Sequence, residues 1–241
     1  MNAIETKGLT KKYGTKTALD GLNLTVSQGE LFALLGVNGA GKTTTIKLLS
    51  CLMSPTDGTA LIFGHDIQTA PNKAKALLST SPQETAVAPN LNVRENLELM
   101  AGIYGASCKD AKEKATEIIE QFHMEEIEYT KAKKLSGGWQ RRLSIAMALI
   151  SQPRLLFLDE PTLGLDVLAR RELWTMIRAL KAKTTIILTT HYLEEAEALS
   201  DRIGILSGGK LTALGTPQEL IHLAKAKNFE DAFITLAGGA L

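Results

Sequence analysis

Hydrophobic and polar positions along the 241-residue chain alternate between short apolar runs and helix-like patterns. Three runs are almost wholly apolar and are bounded by polar segments: 31–36, 155–159 and 184–190. Such continuous runs are typical of strands in a parallel sheet that is covered on both faces. Each run precedes apolar residues at helical spacing, at 42–52, 168–181 and 192–200. Strand–helix alternation predicts an α/β fold.

The other segments depart from this alternation. The first 30 residues alternate weakly between polar and apolar positions, as antiparallel strands do. Helical spacing without an intervening strand predicts a mostly helical subdomain at roughly 84–152. After Ser200, two short strands around a Gly-Gly turn precede a helix from Pro217, within a C-terminal extension of roughly 216–241. We therefore predict a single domain over 1–241: a parallel-sheet core, an N-terminal antiparallel β subdomain and an inserted α-helical subdomain.

Composition and charge narrow the classes of function. Hydrophobic residues make up 44% of the chain, charged residues 22%, and the net charge is +1. No basic footprint for nucleic acid is present, so no nucleic-acid partner is expected. The N-terminus has no apolar signal core, and no window approaches the roughly 18 apolar residues of a membrane span. Cys51 and Cys108 lack a CxxC spacing and are predicted to be reduced structural thiols in a cytosolic protein.

The stretch "GVNGAGKT" matches G-x-x-x-x-G-K-[ST], follows a predicted strand and opens a predicted helix, as a phosphate-binding P-loop does. Its glycines let backbone N–H groups turn toward one point, and the helix N-terminus adds its dipole. Lys42 is expected to reach the outer phosphates, and the Thr43 hydroxyl to bind Mg²⁺. A chance glycine-rich turn is the alternative. The predicted binding residues are Gly36, Val37, Asn38, Gly39, Ala40, Gly41, Lys42, Thr43 and Thr44.

Polar residues at the ends of the other apolar runs are candidates for catalysis. Asp159 ends one run and is expected to hold Mg²⁺ through water, and Glu160 to polarise the attacking water. A general base contributes about 10²- to 10⁴-fold in rate. His191 ends the next run and can touch the terminal phosphate, since parallel strands open at one edge of a sheet. The alternatives are a solvated strand end and a polar cap.

Two further residues give weaker signals. Gln83 follows a short apolar stretch where the helical insert is predicted to begin, and its amide is expected to bind Mg²⁺ or the attacking water. Tyr13 lies in an upstream turn and can stack on a base, a contact of about 1–3 kcal/mol. A surface or partly buried tyrosine is the alternative.

A second Ser-Gly-Gly turn, Ser136 to Gly138, also lies where a helix is predicted to begin. It is a second anion site. The helical insert holds it away from the P-loop of the same chain, so one nucleotide can contact both only across two chains. In a head-to-tail two-fold dimer, Ser136, Gly137 and Gly138 of one chain would close over the P-loop of the other. ATP would then join the subunits.

The ordered set "KKYG", "GVNGAGKTT", "SPQ", "LSGGWQ", "LLFLDEPTLGLD" and "LTTH" resembles the nucleotide-binding subunit of ATP-binding cassette (ABC) transporters, over roughly Leu9 to Leu220. The resemblance implies that Tyr13 stacks on adenine and that Gly36 to Thr44 is the Walker A loop. It also implies that Gln83 couples the site to a membrane partner and that Ser136 to Gly138 is the signature.

The same resemblance makes Asp159 and Glu160 the Walker B aspartate and the catalytic base, and His191 the switch histidine. Asp166 would end the loop that crosses to the other subunit. One position departs from the family pattern: Trp139 follows the signature glycines where many members have Gln, and Gln140 comes next. This departure puts the fine tuning of the ATPase in question. Activity is still expected, because Ser136 and the signature glycines are present.

As a family member, the chain is expected to use ATP and Mg²⁺ at the cytoplasmic face of the cell membrane. Its expected partners are an integral membrane permease subunit and a second copy of itself or a homologous cassette. Stretches such as "LTTHYLEEAEAL" resemble bacterial multidrug, antibiotic and polysaccharide exporters. Three alternatives remain: a soluble cassette ATPase acting on nucleic acid or ribosomes, a nucleotide sensor without turnover, and an ordinary P-loop kinase.

A partner surface is also predicted beside Gln83. Val87, Leu91, Val93 and Leu97 would be exposed on a free helical surface, and exposed apolar patches mark contacts. They are expected to form a groove for a short cytoplasmic helix of the membrane subunit. The alternative is that they pack the core of the insert.

Overall fold

The computed structural model describes residues 1–181 and 183–238. The strands are β1 (Asn2–Tyr13), β2 (Lys16–Leu22), β3 (Thr25–Ser27), β4 (Leu31–Leu35), β5 (Asp57–Ile62), β6 (His65–Asp66), β7 (Leu78–Ser81), β8 (Leu155–Asp159), β9 (Thr185–Thr190), β10 (Arg202–Ser207) and β11 (Lys210–Gly215). The helices are α1 (Lys42–Leu49), α2 (Pro71–Lys75), α3 (Val93–Ile103), α4 (Cys108–Gln121), α5 (Gly137–Leu149), α6 (Val167–Leu180), α7 (Leu193–Leu199), α8 (Pro217–Ala224) and α9 (Phe229–Leu236).

The core sheet has six strands in the order β11-β10-β4-β9-β8-β7, all parallel except β11. Every residue of β4, β8 and β9 is buried, as their apolar runs predict. The predicted α/β P-loop fold is confirmed. α1 ends at Leu49, earlier than the predicted 52, because the Ser50 hydroxyl donates to the Ile46 carbonyl at 2.7 Å and Cys51 has a positive φ of 56°.

A second, antiparallel sheet has the order β2-β1-β5-β6, and β3 also pairs with β1. The first 30 residues supply β1, β2 and β3, as predicted. β5 and β6 come later in the chain, after α1, and the sequence pattern did not reveal them. Apolar residues of this sheet, of α1 and of the facing side of the core sheet, including Phe32 and Phe157, form one buried cluster.

The helical part contains α3, α4 and α5, and the first of these begins after the predicted subdomain start of roughly 84. α3 starts at Val93 because Asn92 and Glu95 cap each other, with both hydrogen bonds at 2.8 Å. The residues between Gln83 and Asn92 form an irregular connection.

The predicted exposed apolar surface is wrong at two of its four positions. Val93 and Leu97 are fully buried because they lie on the face of α3 that packs into the main core cluster. Val87 is partly buried against the same cluster, and Leu91 is partly buried. The apolar residues that α3 exposes are on its other side: Leu99 and Ile103 are 49% and 69% exposed.

The C-terminal part contains the predicted hairpin, β10–β11, followed by α8 from Pro217. α9 follows and was not predicted; residues 239–241 of the predicted extension lie outside the described residues. Cys51 and Cys108 are both free thiols; Cys108 is exposed and therefore has no role in the core. Within residues 1–181 and 183–238, the structure has no helix that is both long and apolar enough to span a membrane.

Candidate nucleotide-binding site

The P-loop connects β4 to α1 and needs glycine at several positions. Gly39 and Gly41 have left-handed φ values of 82° and 109°. A side chain at Gly36 would place its Cβ 2.5 Å from the Leu206 carbonyl oxygen. Gly41 precedes α1 without a side-chain cap, so the first-turn N–H groups of α1 can bind an anion.

Lys42 is the buried cation of this loop, with only 6% of its surface exposed. Its Nζ donates to the Gly36 carbonyl at 2.6 Å and the Val37 carbonyl at 3.3 Å. It also lies 3.2 Å from Glu160 Oε1. The lysine is therefore held inside the loop by oxygen atoms for which a phosphate can substitute.

Asp159 and Thr43 meet at the carboxyl end of β8. Asp159 Oδ1 accepts hydrogen bonds from the Thr43 hydroxyl at 3.5 Å and from the Thr189 hydroxyl at 2.5 Å. Carboxylate and hydroxyl oxygens are the ligands that Mg²⁺ prefers. The donor set of Asp159 and Thr43 therefore fits a magnesium ion.

Glu160 occupies the left-handed region, with a φ of 48°. Its backbone N–H donates to the carbonyl and the hydroxyl of Thr189, both at 3.1 Å. This conformation directs the carboxylate between two groups: Oε1 faces Lys42, and Oε2 lies 2.8 Å from His191 Nδ1. The residues that end β8 and β9 are thus in direct contact, as expected for neighbouring parallel strands.

A cavity of about 340 Å³ gathers most of the predicted site residues. Its lining is Tyr13, Lys16, Ala18, Asn38, Gly39, Ala40, Gly41, Lys42, Thr43, Thr44, Gln83 and Glu160. Larger cavities of about 690 and 740 Å³ lie beside α4 and α6, and one of about 400 Å³ lies beside α2; no P-loop residue lines any of the three. The chemistry of the lining, and not cavity size, identifies the site.

Tyr13 and Gln83 both lie at the rim of this cavity. Tyr13 is 46% exposed, and its hydroxyl donates to Met53 Sδ at 2.9 Å. Lys11 Nζ lies over the ring, 5.5 Å from its centroid. Gln83 is exposed near the start of the segment that follows β7.

Ser136, Gly137 and Gly138 do not line the cavity. Ser136 caps α5, with its hydroxyl accepting from the Trp139 N–H at 3.4 Å. Trp139 stacks beneath the Arg142 guanidinium, 4.2 Å from the ring centroid. Gln140 donates to the Ala132 and Leu135 carbonyls at 3.1 and 3.3 Å, so its amide is engaged within the subdomain.

Arg141 is a buried part of the site that the sequence motifs did not reveal. It is 4% exposed and donates to the Pro82 carbonyl at 2.6 Å and to the Gln83 carbonyl. Burial lowers the pKa of Arg141, against the opposing effects of Asp159 and Glu195. α5 thereby holds the backbone of the Gln83 segment. The sequence offers only the pair Arg141-Arg142 early in α5, which does not show which of the two is buried.

Comparison with known proteins decides the family. The ABC transporter family pattern matches residues 19–163, more than half of the chain. The chain belongs to the ABC transporter family. This confirms the resemblance found in the sequence.

Two curated relatives have names that refer to drugs. The cassette is 45% identical over 219 residues to the daunorubicin/doxorubicin resistance ATP-binding protein DrrA of Streptomyces peucetius, covering 90% of this chain and 66% of that protein. It is 43% identical over 218 residues to the probable multidrug ABC transporter ATP-binding protein YbhF of Escherichia coli (strain K12), covering 90% and 38%. The chain thus spans less than two thirds of either relative.

Solved structures share the fold. A structure of the ATP binding subunit of an ABC transporter aligns with a TM-score of 0.85 and 30% identity, covering 97% of this chain and 99% of that one. A dimeric post-hydrolysis state of the ATP-binding cassette MJ0796, bound to ADP and Pi, aligns with a TM-score of 0.78 and 26% identity, covering 88% and 98%. The second of these neighbours is thus a dimeric cassette with the products of ATP hydrolysis bound.

Proposed function

We propose that this cassette hydrolyses ATP and thereby powers an exporter, as one of two cassettes mounted on an integral membrane permease. The proposal rests on one observation: a single cavity is lined by the P-loop with Lys42 and Thr43, by Glu160 and by Gln83. Asp159 contacts Thr43 beside this cavity. The names of DrrA, a drug-resistance ATP-binding protein, and of YbhF, a probable multidrug transporter ATP-binding protein, support export.

Each residue of the site has its own role in ATP hydrolysis. Lys42 and the α1 N-terminus bind the outer phosphates, and Tyr13 supports the base of the nucleotide. Asp159 and Thr43 would hold Mg²⁺, which supplies charge neutralisation on the phosphates. Glu160 accepts the proton of the attacking water, and His191 holds the Glu160 carboxylate in place from the side opposite Lys42.

A second chain completes the site in this proposal. Ser136 to Gly138 lie outside the P-loop cavity of their own chain, so a head-to-tail dimer places them over the P-loop of the partner. The partner is a second copy or a homologous cassette. ATP between the two chains supplies contacts that are lost after hydrolysis.

The proposed permease contact lies on the helical part. Gln83 faces the nucleotide cavity, while the backbone of its segment is held by Arg141. A change at the terminal phosphate can therefore pass through this segment to α5 and α3. The half-buried Val87 and Leu91 and the exposed Leu99 of α3 supply apolar contact surface for a cytoplasmic helix at the membrane's inner face.

The test is purification of the chain from native membranes with whatever protein accompanies it. We expect an integral membrane protein, and Mg²⁺-dependent ATP hydrolysis that EDTA abolishes. A fully soluble protein with no membrane partner in any nucleotide state would contradict the transporter role. No observation favours the nucleic-acid or ribosome alternative.

A further inference from the structure

A buried carboxyl group lies behind the catalytic residues and takes no part in the mechanism above. Glu195 of α7 is 0% exposed, four residues after His191. Its Oε1 accepts a hydrogen bond from the Trp174 indole Nε1 of α6 at 3.1 Å. Its Oε2 is buried and makes no hydrogen bond within the described residues. Burying a carboxyl group costs free energy unless its oxygens form hydrogen bonds.

Two hydroxyl groups lie close to this carboxyl group, and each belongs to a segment of the active site. Thr162 follows Glu160 by two residues, is fully buried, and its hydroxyl has no hydrogen bond within the described residues. Thr190 immediately precedes His191, and its hydroxyl accepts from the Tyr192 N–H at 2.9 Å. Both hydroxyls act on the ionisation of Glu195. Glu195 is therefore adjacent to both segments whose ends carry Glu160 and His191.

The geometry of the site favours a neutral acid, because Glu195 is fully buried and a buried carboxylate with one unpaired oxygen is costly. Burial raises the pKa of Glu195, the nearby Glu160 raises it further, and Thr190, Thr162 and Trp174 oppose the shift without cancelling it. A neutral carboxylic acid has one O–H donor besides its acceptor oxygen. The acceptor oxygen already serves Trp174. The O–H can therefore donate to a threonine hydroxyl. Such a bond would pair the two atoms that lack a hydrogen bond, Glu195 Oε2 and Thr162 Oγ1.

We propose that Glu195 is a positioning residue, which bridges the Thr162 and Thr190 segments and so holds Glu160 and His191 in contact. Trp174 fixes the carboxyl group from α6, the helix that begins directly after Asp166. The arrangement ties the proposed base, the switch histidine and the loop toward the second chain to one buried group. The inference rests on the proposed ATPase function.

The first test compares substitutions at one position. Glu195→Gln copies the neutral acid, with one acceptor and an N–H donor, and we expect its kcat to stay within about threefold of wild type. Glu195→Leu keeps the volume and removes the bridge. Its kcat should fall about 10- to 100-fold, as expected for a small displacement of catalytic groups, with ATP affinity within about twofold. Glu197→Leu, an exposed glutamate on the same helix, is the control.

A second measurement does not depend on turnover. The chain has two tryptophans, so Trp174→Phe assigns the indole N–H resonance of Trp174. We expect Glu195→Leu to move this resonance and Glu195→Gln to leave it nearly in place. Trp174→Phe should itself lower kcat, though less than Glu195→Leu, because the carboxyl group loses one of its anchors.

Several outcomes would overturn the proposal. Normal kcat in Glu195→Leu would show that the bridge is not needed, and equal losses of kcat and ATP affinity would show a merely structural role. If Glu195→Gln lowered kcat as much as Glu195→Leu, the required form would be the charged carboxylate and not the neutral acid. If Glu195→Leu does not fold, Trp174→Phe decides. A lower kcat at unchanged ATP affinity supports the proposal, and an unchanged kcat contradicts it. An inactive wild type with its membrane partner would contradict the proposed function, while the indole resonance still reports on the Glu195 contact.

Discussion

Lys42 and Glu160 form a buried ion pair, with Lys42 Nζ 3.2 Å from Glu160 Oε1 and both side chains 7% exposed. The proposed base is thus neutralised by the lysine that is expected to bind the outer phosphates. A phosphate competes with Glu160 for this lysine, because both are anions that accept charge-assisted hydrogen bonds. We expect ATP binding to release Glu160 for proton transfer, which couples the readiness of the base to the presence of substrate.

Glu160→Gln should bind ATP and lose most of its turnover, by about 10²- to 10⁴-fold. The amide keeps the shape of the side chain and cannot accept the proton from water. ATP-bound dimers should accumulate and can be measured by size-exclusion chromatography. Glu194→Gln, which alters an exposed glutamate of α7, is the control. Near-normal hydrolysis in Glu160→Gln would remove Glu160 from the role of base.

Lys42→Ala should weaken ATP binding itself. Hydrogen bonds to charged groups contribute about 1.5–3 kcal/mol, so the dissociation constant should rise about 10- to 100-fold. Lys47→Ala provides a matched control, since Lys47 lies on the same helix and is exposed. Titration with a fluorescent nucleotide measures both. Equal affinities in the two variants would mean that Lys42 does not bind phosphate.

Ser136 should act on the nucleotide of the opposite chain. In a mixed dimer of Lys42→Ala with Ser136→Arg, both defects fall on one composite site and the other site stays intact. A dimer with both changes in one chain damages both sites. ATP hydrolysis should therefore be higher in the first arrangement. Equal rates in the two dimers would argue against the head-to-tail arrangement.

Cysteines placed on the segment after Gln83 and on the exposed side of α3 should crosslink to an integral membrane protein in native membranes, and the yield should change with ATP. The native Cys51 and Cys108 are first replaced, because Cys108 is exposed. Ala86 and Leu99 are suitable positions, since both are exposed. Leu223 of α8 is the control, being apolar and 61% exposed on another part of the chain. Equal crosslinking from Leu223 would leave the proposed surface without support.

Stability should depend on pH through Glu195. Because burial raises its pKa, the unfolded chain releases this proton at lower pH than the native chain does. The unfolded state then binds fewer protons, and the free energy of unfolding falls as pH rises from about 4 toward the raised native value. Glu195→Gln has no such proton. The wild-type stability minus that of the variant, from denaturant titrations, should fall with rising pH; a constant difference would contradict the shift.

The sequence by itself determined the parts of this protein that are local in the chain. β4, β8 and β9 followed from nearly continuous apolar runs, because a strand buried on both faces favours apolar residues at successive positions. The P-loop followed from its spacing, because the turn and the helix N-terminus that bind phosphate are built from consecutive residues. The motif order was enough to predict the family.

Only the tertiary structure decided which faces are covered and which distant residues meet. Val93 and Leu97 have the spacing of an amphipathic helix, yet whether that face is a docking surface or a core depends on the packing around α3. The hydrogen bonds of Arg141 to the Gln83 segment and of Trp174 to Glu195 join residues that are far apart in the chain. Such contacts leave no periodic trace, because side-chain periodicity records burial and not the identity of the neighbour.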